Sequence, residues 1–378
     1  MTDTLPVADL VDQNCHGVLR AELGLATFEA QLSTAGSGPA PGTTFFDTQT
    51  GFAVRRWCPP LLGLEAHSAP AHYLARRREL GVVETTRRLL RATGVRARLV
   101  DTGLPEDLLS PKELSSAAGA EAREIVRLEV LATQIADTSG TVDSFLVNLA
   151  EAVHAASASA VAFTSVAGAR AVPAQEAGPP GPGEVRIAAG RWLAGRESER
   201  RAARSGAGDR RSGCGPPADP VLLRHLMWTA VACGLPLQLP LGAVDPVRLA
   251  GFVTATAGLG TDLVLLHSYP HHRGAALLAS AYPHVYADIG PACARTGARG
   301  GDVLAEFLEL APFGKLMYSS GARALPELHL VAARQFHEAL GRVLGAWVAD
   351  GAWSRQDAAR VATMVGSGNA RRVYGLDG

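Results

Sequence analysis

Short apolar segments alternate with longer amphipathic segments along most of this sequence. The short segments are rich in Val, Leu and Ile and the longer ones in Ala, Leu and Arg, which is typical of repeated βα units on a parallel sheet. The predicted strands are Leu10–Val11 with the polar residues that follow it, Ala97–Val100, Ile125–Val130, Ala160–Val166, Leu235–Leu239, Asp262–His267, His284–Ile289 and Lys315–Ser319. Eight strands with intervening helices favour a closed (β/α)8 TIM-type barrel over an open sheet.

The predicted barrel forms one domain over residues 1–378, with two long interruptions and helices at its end. An insertion after strand one covers residues 20–95, and its rear part, Tyr73–Ala92, has the pattern of one amphipathic helix. Residues 178–217 are predicted to form a flexible loop, because they are rich in Pro, Gly, Ser and Arg. Helices are expected at Pro326–Asp350 and Ser354–Val365.

Composition narrows the class of protein. With 378 residues, 47% hydrophobic and 19% charged, the chain is long and apolar enough for a large core. A net charge of +0 argues against a nucleic-acid or membrane partner recruited by bulk charge. The Cys residues are widely spaced without a CxxC pair, and the N-terminus has no secretory pattern. We therefore expect a cytoplasmic protein, and the sequence is compatible with a homo-oligomer.

Polar residues close several of the predicted strands. In (β/α)8 barrels the active site lies at the C-terminal ends of the strands, so these residues are the candidates for chemistry. The candidate site residues are Asn14, His16, Asp101, Arg127, Glu129, Thr164, Ser165, Gln238, Pro240, His267, Asp288, Ser319, Ser320 and Gly321, with His272 in the loop after strand six. Neighbours on a strand point to opposite faces, so Cys15 is expected to face away from His16 as a small buried hydrophobe. Arg127 and Glu129 alternate around Leu128, which predicts that both face the barrel lumen as an ion pair.

Motifs along nearly the whole chain resemble a single family. The motifs are VDQNCHGVL (11–19), RRWCPPLLGLE (55–65), LARRRELG (74–81), LVDTG (99–103), IVRLE (125–129), GLPLQLPLGAVDP (234–246), VLLHSYPHHR (264–273), YSSGARALPEL (318–328) and GNARRVYGL (368–376). In order and spacing they resemble the amidohydrolase-related (β/α)8 barrels that also occur fused to glutamine synthetase. The resemblance implies a divalent metal, zinc or similar, held by a His-x-His pair on strand one, a Lys on strand four, a His on each of strands five and six, and an Asp after strand eight. Such a metal lowers the pKa of a bound water and supplies a nucleophile near neutral pH.

The family's ligand positions are only partly retained in this chain. His16 and His267 keep a histidine, so the resemblance leaves these two as metal ligands. The other positions hold Asn14, Thr164, Pro240 and Gly321. An amide is a weak neutral donor and a hydroxyl a poorer one, while Pro and Gly offer no side-chain ligand. We therefore expect the metal to be bound weakly or not at all.

Two functions follow from this pattern. The first is a diverged or inactive amidohydrolase-type protein whose residual pocket binds a small amide- or carboxylate-like ligand. The alternative is an active hydrolase of C–N or ester-type bonds with a rearranged site, in which His16 and His267 recruit Asp288, His272 or Asp101. A lyase that uses the pocket without metal is a third idea, which no specific residue supports.

Overall fold

Eight short parallel strands are present in the computed structural model, which describes residues 9–33, 37–170, 177–204 and 215–376. The strands are β1 Leu10–Cys15, β2 Val95–Asp101, β3 Glu121–Arg127, β4 Ala162–Thr164, β5 Leu237–Pro240, β6 Leu263–Leu266, β7 Val285–Asp288 and β8 Leu316–Met317. They follow one another in the sheet in sequence order. The amide of Gln13 on β1 donates to the carbonyl of Tyr318 just after β8, at 3.2 Å. The predicted (β/α)8 TIM-type fold is therefore confirmed, as a nearly closed barrel.

Helices separate the strands, as the amphipathic segments predicted. They are α1 Leu25–Leu32, α2 Gln49–Leu61, α3 Pro70–Leu80, α4 Val82–Arg91, α5 Pro111–Ala118, α6 Leu128–Thr138, α7 Val142–Ser157, α8 Pro182–Arg204, α9 Pro220–Val231, α10 Ala250–Thr256, α11 His272–Ala281, α12 Gly290–Thr296, α13 Gly300–Leu310, α14 Pro326–Ala349, α15 Arg355–Thr363 and α16 Asn369–Tyr374. A π-helical turn, Met364–Gly368, joins the last two. None of the described helices is both long enough and apolar enough to cross a lipid bilayer.

The chain divides into two compact units. Unit 1 consists of residues 1–124 and 287–378, and unit 2 of residues 125–286. The divisions fall within β3 and β7, so each unit contains a run of neighbouring strands and the helices that follow them.

In unit 1, the insertion after β1 folds into the four helices α1–α4. The single helix predicted over Tyr73–Ala92 is wrong: α3 ends at Leu80 and α4 begins at Val82. Between them Gly81 adopts a φ of +79°, a left-handed conformation that glycine adopts at little cost and that interrupts a helix. Aromatic and aliphatic side chains of the insertion, among them Phe28 and Phe46, pack with Leu330 of α14 into one apolar cluster.

A buried ion pair also joins the insertion to α14. Arg77 of α3 donates from Nε to Glu327 Oε1 at 2.7 Å, and Tyr73 donates its hydroxyl to the same oxygen at 2.8 Å. Arg77 also donates from Nη1 to Glu22 at 2.8 Å. Polar and apolar contacts together therefore fix the insertion to the last long helix.

In unit 2, two predicted boundaries are wrong. The strand predicted to run to Val130 ends at Arg127, and α6 begins at Leu128. Within the loop predicted over residues 178–217, residues 182–204 form the long helix α8, while residues 205–214 lie outside the described residues. After this segment α9 begins at Pro220, and the Asp219 side chain accepts from the amide of Val221 as its N-cap.

Candidate functional site

The end of β1 in unit 1 holds Asn14 and His16, and both are buried. His16 Nδ1 lies 2.9 Å from the carbonyl oxygen of Asp101 at the end of β2, and 4.0 Å from the Asp101 carboxylate. Because a carbonyl only accepts hydrogen bonds, Nδ1 carries the proton and Nε2 becomes the acceptor of the ring. The His16 amide donates to the carbonyl of Ala322 at 2.8 Å. The backbone and the ring of His16 are therefore both fixed.

The segment after β8 lies beside the end of β1. The amide of Gly321 donates to the carbonyl of Asn14 at 3.0 Å, so two of the predicted strand-end positions are direct neighbours. Gly321 has a φ of +54°, a conformation that favours glycine. Ser320, predicted to line the pocket, donates from its amide and its hydroxyl to the two oxygens of Asp12, at 2.7 and 2.6 Å. Its polar atoms therefore hold another side chain of unit 1.

Asp288 ends β7 and is also buried. Its Oδ1 accepts from the amide of Gly290 at 3.2 Å, at the start of α12. Gly290 is required at this turn, because a Cβ there would lie 1.5 Å from the carbonyl oxygen of Ser319. The Asp288 carboxylate therefore helps to shape the turn between β7 and α12.

The sequence analysis missed a buried polar cluster in unit 1, formed by Asp12, Cys15, Arg98, Tyr318 and His329. Burial raises the pKa of Asp12 to about 6, although hydrogen bonds from Ser320 and the charge of Arg98 act in the opposite direction. Burial also lowers the pKa of His329 to about 3, assisted by the charge of Arg98, so the imidazole is neutral. Burial raises the pKa of the Cys15 thiol well above its usual value. The sequence contained one indication of this cluster: Asp12 is an acidic residue within a buried strand, where an acidic side chain needs polar partners.

Cys15 belongs both to this cluster and to an apolar one. It packs with Val18, Leu90, Val100 and Leu114, as the small buried hydrophobe that was predicted. Its Sγ atom also lies within 4.8 Å of possible ligand atoms of Asp12 and His329. Among the described residues, these three form the one group of His, Cys, Asp or Glu side chains close enough to share a metal ion.

In unit 2, the residues at the ends of β4 and β5 are engaged with their neighbours. Thr164 donates its hydroxyl to the carbonyl of Gln238 at 3.3 Å. Ser165 donates to Glu129 Oε1 at 2.5 Å, and the same oxygen accepts from the amide of Val166 at 3.1 Å. Burial raises the pKa of Glu129, against the lowering effect of the Ser165 hydrogen bond. Glu129 therefore anchors the end of β4.

The prediction that Arg127 and Glu129 alternate along one strand is wrong. Arg127 is the last residue of β3, while Glu129 lies in the first turn of α6. The alternation of a strand does not apply across this junction, so the two side chains are not successive lumen positions. The charge of Arg127 still lowers the pKa of Glu129, as a minor effect beside burial.

Two histidines follow β6 in unit 2. His267 is half-buried and has a φ of +56°, which is uncommon for a residue other than glycine. His272, at the start of α11, is buried, and its Nδ1 lies 3.1 Å from the carbonyl oxygen of Pro270. Its ring stacks on Tyr269 with the centroids 5.4 Å apart. His272 is therefore packed against its own loop.

The side chains at the predicted ligand positions do not fit the hydrolytic metal site that the family resemblance implies. Asn14 offers an amide, and the Thr164 hydroxyl is donated to a backbone carbonyl. Pro240 ends β5 and Gly321 follows β8, and neither has a side-chain donor. Catalytic zinc usually requires three protein ligands besides water, so no step through such a metal is assigned to these residues.

Comparison with known proteins supports the fold more strongly than the function. No protein-family model matches the sequence. A segment of 120 residues, 31% of this chain, is 37% identical to Protein fluG from Emericella nidulans, and it covers 14% of that protein. The chain therefore matches only a small part of the length of this curated relative.

Solved structures share the barrel over nearly the full chain. A protein from Lactobacillus casei ATCC 334, provisionally described as a metal-dependent hydrolase, has a TM-score of 0.77 at 22% identity and covers 100% of this chain and 96% of its own. Uronate isomerase from Thermotoga maritima has a TM-score of 0.61 at 12% identity, over 99% and 95%. Glucuronate isomerase from Caulobacter crescentus has a TM-score of 0.57 at 14% identity, over 100% and 92%. At such low identities the likeness establishes the fold alone.

Proposed function

We propose that this chain is a diverged amidohydrolase-type barrel that has lost the hydrolytic metal site and binds a small ligand carrying a carboxylate or amide group. One observation carries the proposal: Asn14 and Gly321, at the strand-one and strand-eight ligand positions, are hydrogen-bonded neighbours without an imidazole or carboxylate. Thr164 and Pro240 are equivalent losses in unit 2. The name of the Lactobacillus casei neighbour supports hydrolase ancestry.

The remaining polar groups suit a neutral or anionic polar ligand. In unit 1, Asn14 has an amide, which can donate to a carboxylate or pair with a ligand amide. The His16 ring is held with Nδ1 2.9 Å from the Asp101 carbonyl oxygen, so its orientation is fixed. We infer that such groups recognise a ligand by hydrogen bonds. In this proposal they bind the ligand and do not hydrolyse it.

Metal content and ligand binding test this proposal. Protein purified without chelators is analysed for zinc and manganese, alongside His16→Ala and His267→Ala, with His154→Ala on the exposed side of α7 as the control. We expect the three variants to retain the same metal content as the wild type. A metal held in about one-to-one ratio and lost in His16→Ala or His267→Ala would overturn the proposal.

The ligand is tested with succinate, glutarate and glutamine as probes in thermal unfolding. Binding to the folded state raises the unfolding temperature, and the rise should be lost in His16→Ala and kept in His154→Ala. Absence of a rise with every probe contradicts the ligand-binding part of the proposal.

A rearranged hydrolase is the second candidate, and the proximity of His16 to Asp101 favours it, because a carboxylate beside an imidazole can orient a general base. Its assay is hydrolysis of a panel of amides, lactones and γ-glutamyl amines. Turnover that disappears in His267→Ala supports this candidate over the first, and turnover absent from the wild type removes it.

A further inference from the structure

A bulge in β1 brings two ligand-type side chains to the same side of the strand. Asp12 is paired with Arg98 on β2 and Cys15 with Val100, so three steps along β1 correspond to two along β2. Residues three apart on a regular strand point to opposite faces, but the extra residue of a bulge reverses this relation. Asp12 and Cys15 therefore both approach His329, in the first turn of α14.

His329 is the second, independent observation. Its side chain is 1% exposed and lies beside the backbone of His16, and neither ring nitrogen has a hydrogen bond of regular geometry to a described residue. Its Nδ1 lies 4.0 Å from Asp12 Oδ2, so the ring is directed at the carboxylate across a gap too wide for a hydrogen bond. Buried polar groups are nearly always satisfied, and an ion in this gap would give both the imidazole and the carboxylate a partner.

We infer that Asp12, Cys15 and His329 of unit 1 bind a zinc ion. Carboxylate oxygen, thiolate sulfur and imidazole nitrogen are the three protein ligand types of zinc, and the sulfur disfavours magnesium and calcium. The possible ligand atoms all lie within 4.8 Å of one another, so small side-chain movements suffice to place them around one ion. These residues differ from the strand-end positions where the family resemblance implies a metal.

The surroundings of Asp12 suit a ligand that must be held in place. Its two oxygens accept hydrogen bonds from Ser320, at 2.7 and 2.6 Å, and the backbone of Asn14 also donates to this carboxylate. Donors of this kind orient a carboxylate ligand without occupying the metal position. Cys15 directs its thiol at the carbonyl of Leu99, 3.6 Å away. On binding, the sulfur–hydrogen bond is exchanged for a sulfur–zinc bond, and the proton passes to solvent.

Arg98 limits how tightly the ion can be held. It occupies the position opposite Asp12 in the strand pairing, and its Nε and Nη1 have no hydrogen-bond partner among the described residues. Zinc with one carboxylate and one thiolate is neutral, so the guanidinium adds an unbalanced positive charge nearby. We therefore expect weaker binding than in a closed zinc site with four protein ligands.

The test is metal titration of the full chain after removal of metal by chelator. We expect about one zinc per chain, and with cobalt(II) a near-ultraviolet thiolate-to-metal absorption band. Cys15→Ser and His329→Ala should each weaken zinc binding by about 100-fold or more. Cys293→Ser is the matched control, because Cys293 is an equally buried thiol outside the cluster, and it should bind zinc as the wild type does.

The possible outcomes distinguish this inference from the proposed function. Metal lost in His16→Ala and kept in His329→Ala overturns both. Failure of the wild type to bind zinc, or to give the thiolate band, overturns the inference alone. If the Cys15 and His329 variants do not fold, the Asp12→Asn variant and the zinc-dependent rise in unfolding temperature of the wild type decide instead. A wild type whose unfolding temperature does not respond to zinc refutes the site.

Discussion

The buried pair Arg77–Glu327 offers a sharp test of how unit 1 is held together. The side chains are 2% and 0% exposed, and their 2.7 Å hydrogen bond is reinforced by Tyr73 on the same carboxylate oxygen. Arg77→Ala leaves the Glu327 carboxylate buried without its cation. Removal of one partner of a buried pair typically costs about 3–5 kcal/mol, because the charge left behind has lost its water without compensation.

A second Arg–Glu pair provides the matched control. Arg56 donates to Glu338 at 2.5 Å and also connects the insertion to α14, but its side chains are 49% and 40% exposed. Arg56→Ala should therefore cost only about 0.2–1 kcal/mol, since water screens the pair and solvates the remaining carboxylate. The two substitutions remove the same side chain type from an Arg–Glu contact with α14, so their difference reports burial together with the second contact of Arg77, to Glu22.

The assay is urea denaturation followed by circular dichroism, with midpoints compared between variants and wild type. The double variant Arg77→Met with Glu327→Leu should be less destabilised than the sum of its single variants, by about 1–3 kcal/mol, because it leaves no charge at the fully buried position of Glu327. If Arg77→Ala shifts the midpoint no more than Arg56→Ala, the buried pair is not a major link to α14. An additive double variant would show that the two side chains act independently.

Two further substitutions give measurable effects. Burial raises the pKa of Glu129, so the folded state favours the neutral acid. The stability that this group contributes is present below the usual glutamate pKa and is lost as the pH rises through the raised pKa. Glu129→Gln has no ionisable group at this position, so it removes this loss while it keeps an acceptor for Ser165. The unfolding temperature of the variant should therefore fall less between acidic and neutral pH than that of the wild type. Parallel pH profiles of the two proteins would contradict this reasoning. Gly290→Ala places a Cβ 1.5 Å from the carbonyl oxygen of Ser319 and should cost about 2 kcal/mol or more in urea, whereas Gly341→Ala, with open space around it, should cost little. Equal midpoints for these two alanine variants would refute the close approach at the β7–α12 turn.

Hydrophobic periodicity predicted the architecture because a parallel barrel buries each strand on both faces. The apolar run of β6, Leu263–Leu266, was therefore visible in the sequence as four consecutive buried residues. Periodicity failed where a strand leads directly into a helix. IVRLEV continues the apolar run past Arg127, but the chain turns helical at Leu128 so that Glu129 can accept from Ser165 and Val166. Such a choice depends on tertiary contacts.

Local composition gave a wrong prediction for the segment 178–217, for a different reason. Residues 182–204 contain many Arg, Glu and Ala residues, which are strong helix formers, but their polarity suggested a loop. The reverse error occurred at Gly81, where a continuous amphipathic pattern concealed the interruption between α3 and α4. Pattern and propensity must therefore be weighed together, since each was misleading in one of these segments.

β1 shows how a single irregularity changes the chemistry that a strand can offer. With regular alternation, Asp12 would share a face with Asn14 and His16, and Cys15 would lie on the opposite face. The bulge instead brings Asp12 and Cys15 toward His329, while the end of the strand offers the Asn14 amide and the His16 imidazole. Zinc that disappears with His329→Ala and persists in His16→Ala would show that metal binding has a structural role in unit 1 without a hydrolytic metal site at the end of β1. The opposite result would return the metal to the strand end and favour a working hydrolase.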